Sequence, residues 1–340
     1  LLGGVMVCSS SVMQPAYGYL SDRFRSRMFS ALAPAVAGIF ISALGMAPSY
    51  GWLLAMVALG GAGVASFHPQ ASSRVGLSTT ANRGRWMAVF ISSGALGMSF
   101  GPTYFTTLAG KLGLERAAWG ALPGIAVTLL LLFVLPVPAA RTAAGRHHFE
   151  WRPLRAVARP LTILYFAVFF RSIVQIAFTQ FIPLYLTRER GYSLSAASAT
   201  LTLYLLSGAL GGFIGGHFAD RFGGRLVILI SLIGSAPFLA LFLATSGAVS
   251  AVCLALGGLI LLFTIPVNVV MAQELAPSQS GTISALMMGF AWGVAGMIFI
   301  PLTGWIADHT SLHLALSLLV AFPVLGFLVT LKLPKDLSHA

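Results

Sequence analysis

The chain has 340 residues, 57% hydrophobic and only 8% charged, with 20 Lys and Arg against 8 Asp and Glu. A soluble domain carries about 25% charged residues, so lipid must be the solvent over most of this surface. The net charge of +12 does not point to nucleic acid, because the basic residues lie in short gaps between apolar runs and not on one polar domain.

Runs long enough to cross a bilayer, about 20 mainly apolar residues each, are predicted at 1–20, 28–47, 51–73, 86–110, 117–137, 161–187, 195–216, 226–246, 249–272, 282–305 and 312–333. Each must be a helix, since hydrocarbon cannot satisfy free backbone groups. Barrel strands would alternate over about ten residues, and these runs do not. The chain opens at Leu1 already apolar, without the charged leader and cleavage site of a signal peptide. Cys8 and Cys253 each sit inside an apolar run and read as small buried hydrophobes.

Placing the gap at 21–27 in the cytoplasm and alternating from there puts 15 Lys and Arg on the cytoplasmic side and 4 opposite, with Arg171 inside a span. That asymmetry fixes the expected orientation. The longest polar gap, 138–160, reads as a cytoplasmic linker between a five-helix bundle at 1–137 and a six-helix bundle at 161–335, and the C-terminus falls on the same side. The linker pair His147-His148 has one acid nearby, Glu150, and does not read as a metal site.

The two halves repeat. "GYLSDRFRSR" at 18–27 returns as "GHFADRFGGR" at 216–225, "GGAGVASFHP" at 60–69 as "GGLILLFTIP" at 257–266, and Pro102 as Pro301. Offsets of 197 to 199 at three landmarks predict two parallel half-bundles related by an axis along the membrane normal. The partner of 161–187 would precede Leu1. The complete protein is therefore expected to have twelve helices, with about 35–40 further residues ahead of this chain.

The first loop, with Gly18, Leu20, Asp22, Arg23 and Arg27, resembles the signature between the second and third helices of the major facilitator superfamily. Gly216, Ala219, Asp220, Arg221, Gly223 and Arg225 match it again in the second half. The resemblance implies an all-α membrane protein of the major facilitator fold, two pseudo-symmetric helical bundles with about 11 of the 12 helices present. It also implies that these loops act as gates: the Gly lets two helices touch, and the Asp, beside its Arg residues, pairs across to the other half. "GVASFHPQASSRVG" (63–76), "GALGMSFGP" (94–102) and "GFAWGVAGMIFIPLTGWIADHTSL" (289–312) resemble the fosmidomycin resistance branch of that superfamily. That branch implies a bacterial inner-membrane exporter of small drugs such as phosphonates, driven by proton exchange and working as a monomer. Gly97, Gly101 and Pro102 resemble the superfamily's antiporter motif, although Tyr104 and Phe105 replace its last Gly pair.

Arg171 is the leading site residue. A charge at the centre of a span costs about 2.5 kcal/mol or more, so it should face a cavity or a partner. Gln175 and Thr179 follow at i+4 and i+8 on the same face. His68, ahead of Pro69, could take up protons near physiological pH. Gln70, Asn268 and Trp292 are secondary cavity candidates. Arg171 and His68, as the deepest ionisable groups, bias the cavity positive and suit an anionic substrate, which Arg grips in a fork. No nucleotide loop, metal-ligand pair or serine elbow is present, so no enzyme, catalytic residue, metal or cofactor is expected. The competing transporter expectation is an importer, or a sugar or organic-anion carrier, of the same fold.

Overall fold

In the computed structural model the described residues fold mainly into helices. The described residues are 1–14, 16–17, 20, 27–78, 83–136, 155, 157–275, 283 and 285–334. The helices are α1 (Leu2–Val12), α2 (Met28–Met46), α3 (Tyr50–Ser78), α4 (Arg83–Leu112), α5 (Glu115–Val134), α6 (Ala158–Arg188), α7 (Leu194–Phe222), α8 (Gly224–Ala244), α9 (Gly247–Leu275), α10 (Leu286–His309) and α11 (Leu312–Thr330). Each of the eleven apolar runs thus contains a helix. Among the described residues nine helices are long and apolar enough to cross a membrane; α1 is shorter, and α4, 30 residues long, is not among the nine. The expected linker at 138–160 lies mostly outside the described residues.

Backbone contacts divide the chain into two compact units. One comprises Leu1–Ile91 with Tyr104–His148, the other Ser92–Thr103 with Phe149–Ala340. The middle of α4 therefore packs as part of the second unit.

In the first unit α2 is the common neighbour, packed on both α3 and α5. Small residues permit this. A methyl group on Gly63 would come within 2.7 Å of the Ala37 backbone nitrogen, and one on Gly124 within 2.5 Å of the Pro34 carbonyl. Thr128 of α5 accepts a hydrogen bond from the Ala35 amide at 2.9 Å, an amide in the first turn of the segment Ala33–Ser42.

In the second unit α6 is the axis. It is the most deeply buried of the spans and touches α7, α9, α10 and α11. Its aromatic side chains Phe169 and Phe170 meet Phe299 of α10 and Phe322 of α11, with ring centroids 6.1 Å apart in both pairs. On another side α7 lies against α9 with almost nothing between the backbones. A Cβ on Gly211 or Gly215 would collide with the carbonyls of Leu259 and Phe263, and one on Gly208 with Leu262. Close backbone approach of this kind replaces the hydrophobic effect as the driving force between helices in lipid. The loop glycine Gly216 is not the tight one, since a methyl there would meet Pro266 at an ordinary 3.8 Å.

Gly211→Ala should therefore destabilise the protein by about 1–3 kcal/mol, read as a lower thermal midpoint in detergent. Gly212→Ala, whose methyl would meet the Leu262 carbonyl at 3.9 Å, should leave the midpoint unchanged.

Candidate functional site

The polar residues predicted on α6 come together inside the second unit. Arg171 is 5% exposed and Gln175 7%. The guanidinium donates from Nη1 to Gln175 Oε1 at 2.7 Å and from Nη2 to Ser172 Oγ at 2.9 Å. Both acceptors are neutral, and Arg171 Nε has no partner. Every described acid, Glu115, Glu189, Asp220, Glu274 and Asp308, is exposed. Among the described residues the buried cation thus has no buried anion. Thr179 is half-buried, and its hydroxyl donates back to the Gln175 carbonyl at 2.7 Å.

Two further groups share this character. Asn268 of α9 is 1% exposed, and neither atom of its amide is hydrogen-bonded. Tyr204 of α7 is fully buried with a free hydroxyl, and it lies within electrostatic range of Arg171. An aromatic residue in an apolar run gave no signal in the sequence. Trp292 is partly buried on α10. The α9 span itself is broken by a turn at Leu262–Phe263, three residues ahead of Pro266, the repeat's counterpart of Pro69. There the Ser231 hydroxyl of α8 reaches the carbonyls of Ile260 and Leu261.

In the first unit the site residues go elsewhere. His68 is exposed, with its ring 6.4 Å from that of Phe90. Gln70 accepts from both the amide and the hydroxyl of Ser30. It ties α3 to the first turn of α2, which its position in an apolar run does not reveal. Gly97, Gly101 and Pro102 lie on the segment of α4 that packs with the second unit. A methyl on either glycine would meet nothing within 4 Å, and Pro102 sits inside the helix.

Of the predicted gating loops, Gly18, Asp22 and Arg23 lie outside the described residues. Asp220 and Arg221 are exposed at the end of α7, with the Arg221 guanidinium 5.5 Å from the Phe222 ring. The last arginine of each loop has a use that the motif did not suggest. Arg27 donates to the carbonyl of Leu135, just past α5, and Arg225 donates to the carbonyls of Leu331 and Leu333, just past α11, at 3.0 and 2.8 Å. Donor and acceptor each recur 198 residues on, so the sequence repeat is also a repeat of contacts.

The opposite end of α8 carries a second clamp, hidden among charges that read only as topology signals. Arg190 donates to the carbonyls of Leu243 and Thr245 at the end of α8, and to the Tyr185 hydroxyl at 2.7 Å. Glu189 accepts the amides of Leu312 and His313 at the start of α11, at 2.6 and 3.0 Å.

These features agree with comparisons to known proteins. The family model described as Major Facilitator Superfamily matches residues 1–201 and 164–339, which together span nearly the whole chain. The fosmidomycin resistance protein of Escherichia coli is 29% identical over 338 residues, 96% of this chain and 82% of that protein. An uncharacterized MFS-type transporter of Bacillus subtilis, YfnC, is 34% identical over 337 residues, 96% of this chain and 81% of that protein. Among solved structures, an inward-facing bacterial homologue of the human lysosomal transporter Spinster superposes with a TM-score of 0.71 at 17% identity, covering 99% of this chain and 91% of that one.

Arg225→Ala removes two charge-assisted bonds to helix-end carbonyls and should cost about 1–3 kcal/mol. The expected result is a lower thermal midpoint in detergent, partly restored by Arg225→Lys, which keeps a cationic donor.

Proposed function

This chain belongs to the Major Facilitator Superfamily, and from that premise we propose that it exports small anionic compounds, phosphonates of the fosmidomycin type, in exchange for protons by alternating access. It is a multi-pass membrane transporter and not an enzyme. We place it in a bacterial inner membrane, as a monomer, with the arginine-rich loops and the linker in the cytoplasm.

The observation that carries this reading is Arg171. A buried guanidinium in a lipid-embedded bundle is strongly disfavoured unless an anion compensates it. Here its bonds go to neutral Gln175 and Ser172, and one nitrogen stays unused. An anionic cargo supplies the missing charge. Similarity to the fosmidomycin resistance protein over 96% of the chain supports a cargo of that chemistry. His68, exposed on α3, is the group we assign to proton exchange, because its charge changes within the physiological range.

Expression in a strain lacking its own exporter should raise fosmidomycin tolerance, and an uncoupler should abolish the gain. Arg171→Gln should return tolerance to the empty-vector level at equal membrane abundance. Unchanged tolerance together with gained uptake of a sugar or organic anion would replace export by import.

A further inference from the structure

Polar groups buried in a protein are nearly always hydrogen-bonded, and an unmet one calls for an explanation. At the two ends of the second unit the charged side chains are well used: Arg190, Glu189 and Arg225 each hold backbone groups. In its interior the position is reversed. Among the described residues of this unit, the buried side-chain nitrogens and oxygens without a partner belong to Arg171, Tyr204 and Asn268. They sit on α6, α7 and α9, three helices that pack against one another.

Two of these groups are neighbours: Arg171 and Tyr204 are buried on helices that pack together, α6 and α7, within electrostatic range of each other, and the Arg171 Nε and the Tyr204 hydroxyl have no hydrogen-bond partner. Each keeps a donor free, the guanidinium Nε–H and the phenolic O–H. The phenol cannot swing away to seek solvent, because α9 presses on it: a methyl on Gly258 would lie 2.6 and 2.7 Å from the ring carbons. Beside this wall the α9 helix has its break at Leu262–Phe263, a joint at which the chain can yield.

A phenol held this way with its hydroxyl unused is worse than a phenylalanine unless something binds the hydroxyl. We propose that Arg171 and Tyr204 are a recognition pair for one tetrahedral oxyanion, a phosphonate or phosphate group. Nε–H and the phenolic O–H donate to different oxygens of that group. The two terminal guanidinium nitrogens already donate to Gln175 and Ser172, so the side-on fork that fits a planar carboxylate is partly occupied. A tetrahedral group offers oxygens outside the guanidinium plane, and Tyr204 serves one of them. Tyr204 is thus a specificity-determining residue, and this rests on the reading of the cargo as an anion.

The test is thermal unfolding of the purified full-length protein in detergent, titrated with methylphosphonate, acetate or dihexanoyl phosphatidate, for wild type and Tyr204→Phe. Methylphosphonate should raise the wild-type midpoint and acetate should not. Tyr204→Phe should have the same or a higher midpoint without ligand, and need roughly tenfold more methylphosphonate for the same shift, as one lost charge-assisted bond implies. A response to phosphatidate alone that weakens in Tyr204→Phe keeps the pair and identifies the group as a lipid headgroup. Equal methylphosphonate responses in the two proteins would overturn the role of Tyr204 and leave the anionic cargo standing. A wild type indifferent to both phosphorus compounds would overturn the anionic cargo itself.

Discussion

A helix leaves four amides and four carbonyls unpaired at its ends, and near a membrane those groups have few partners. In this protein charged side chains at helix junctions take several of them. Arg27 and Arg225 hold the carbonyls where α5 and α11 end. Arg190 holds those where α8 ends, and Glu189 holds the amides where α11 begins. Each charge meets the end of the helix dipole that favours it. In the second unit, α8 and α11 are thereby fastened at both ends. Such fastening suits a half-bundle that rocks as one body, as the proposed alternating access requires.

The glycine seam between α7 and α9 belongs to the same economy of space. The backbones almost touch at Gly211 and Gly215, and earlier along the same seam the Tyr204 ring of α7 packs against Gly258 of α9. Arg171, Tyr204 and Asn268 end up enclosed, and part of their hydrogen-bonding capacity is unmet. Among the described residues, Arg190, Glu189 and Arg225 hold backbone groups at the ends of the unit, while Arg171, Tyr204 and Asn268 keep unmet capacity inside it. In a transporter the unsatisfied interior is the natural place for cargo, because binding then supplies what the folded chain lacks.

Much of this was legible in the sequence. Apolar run length located the helices, and the 198-residue repeat matched Arg27 with Arg225, although not the carbonyls that they hold. Arg171 stood out because a charge inside a span is costly. What stayed hidden depends on rotation about a helix axis and on distant partners. Gly216 matched the loop signature, yet the close contacts belong to Gly211 and Gly215, because the seam is set by which face of α7 meets α9. Gln70 and His68 lie two residues apart on α3, yet one bonds Ser30 and the other is exposed. Tyr204 is one of 8 tyrosines, and only its burial and its neighbour distinguish it.

The most direct test is a structure of the full-length protein in a lipid nanodisc with fosmidomycin bound. The phosphonate should lie within hydrogen-bonding distance of Arg171, inside the second half-bundle. A guanidinium permanently paired with a carboxylate of the protein, with the phosphonate seated elsewhere, would contradict an uncompensated cation kept for anionic cargo.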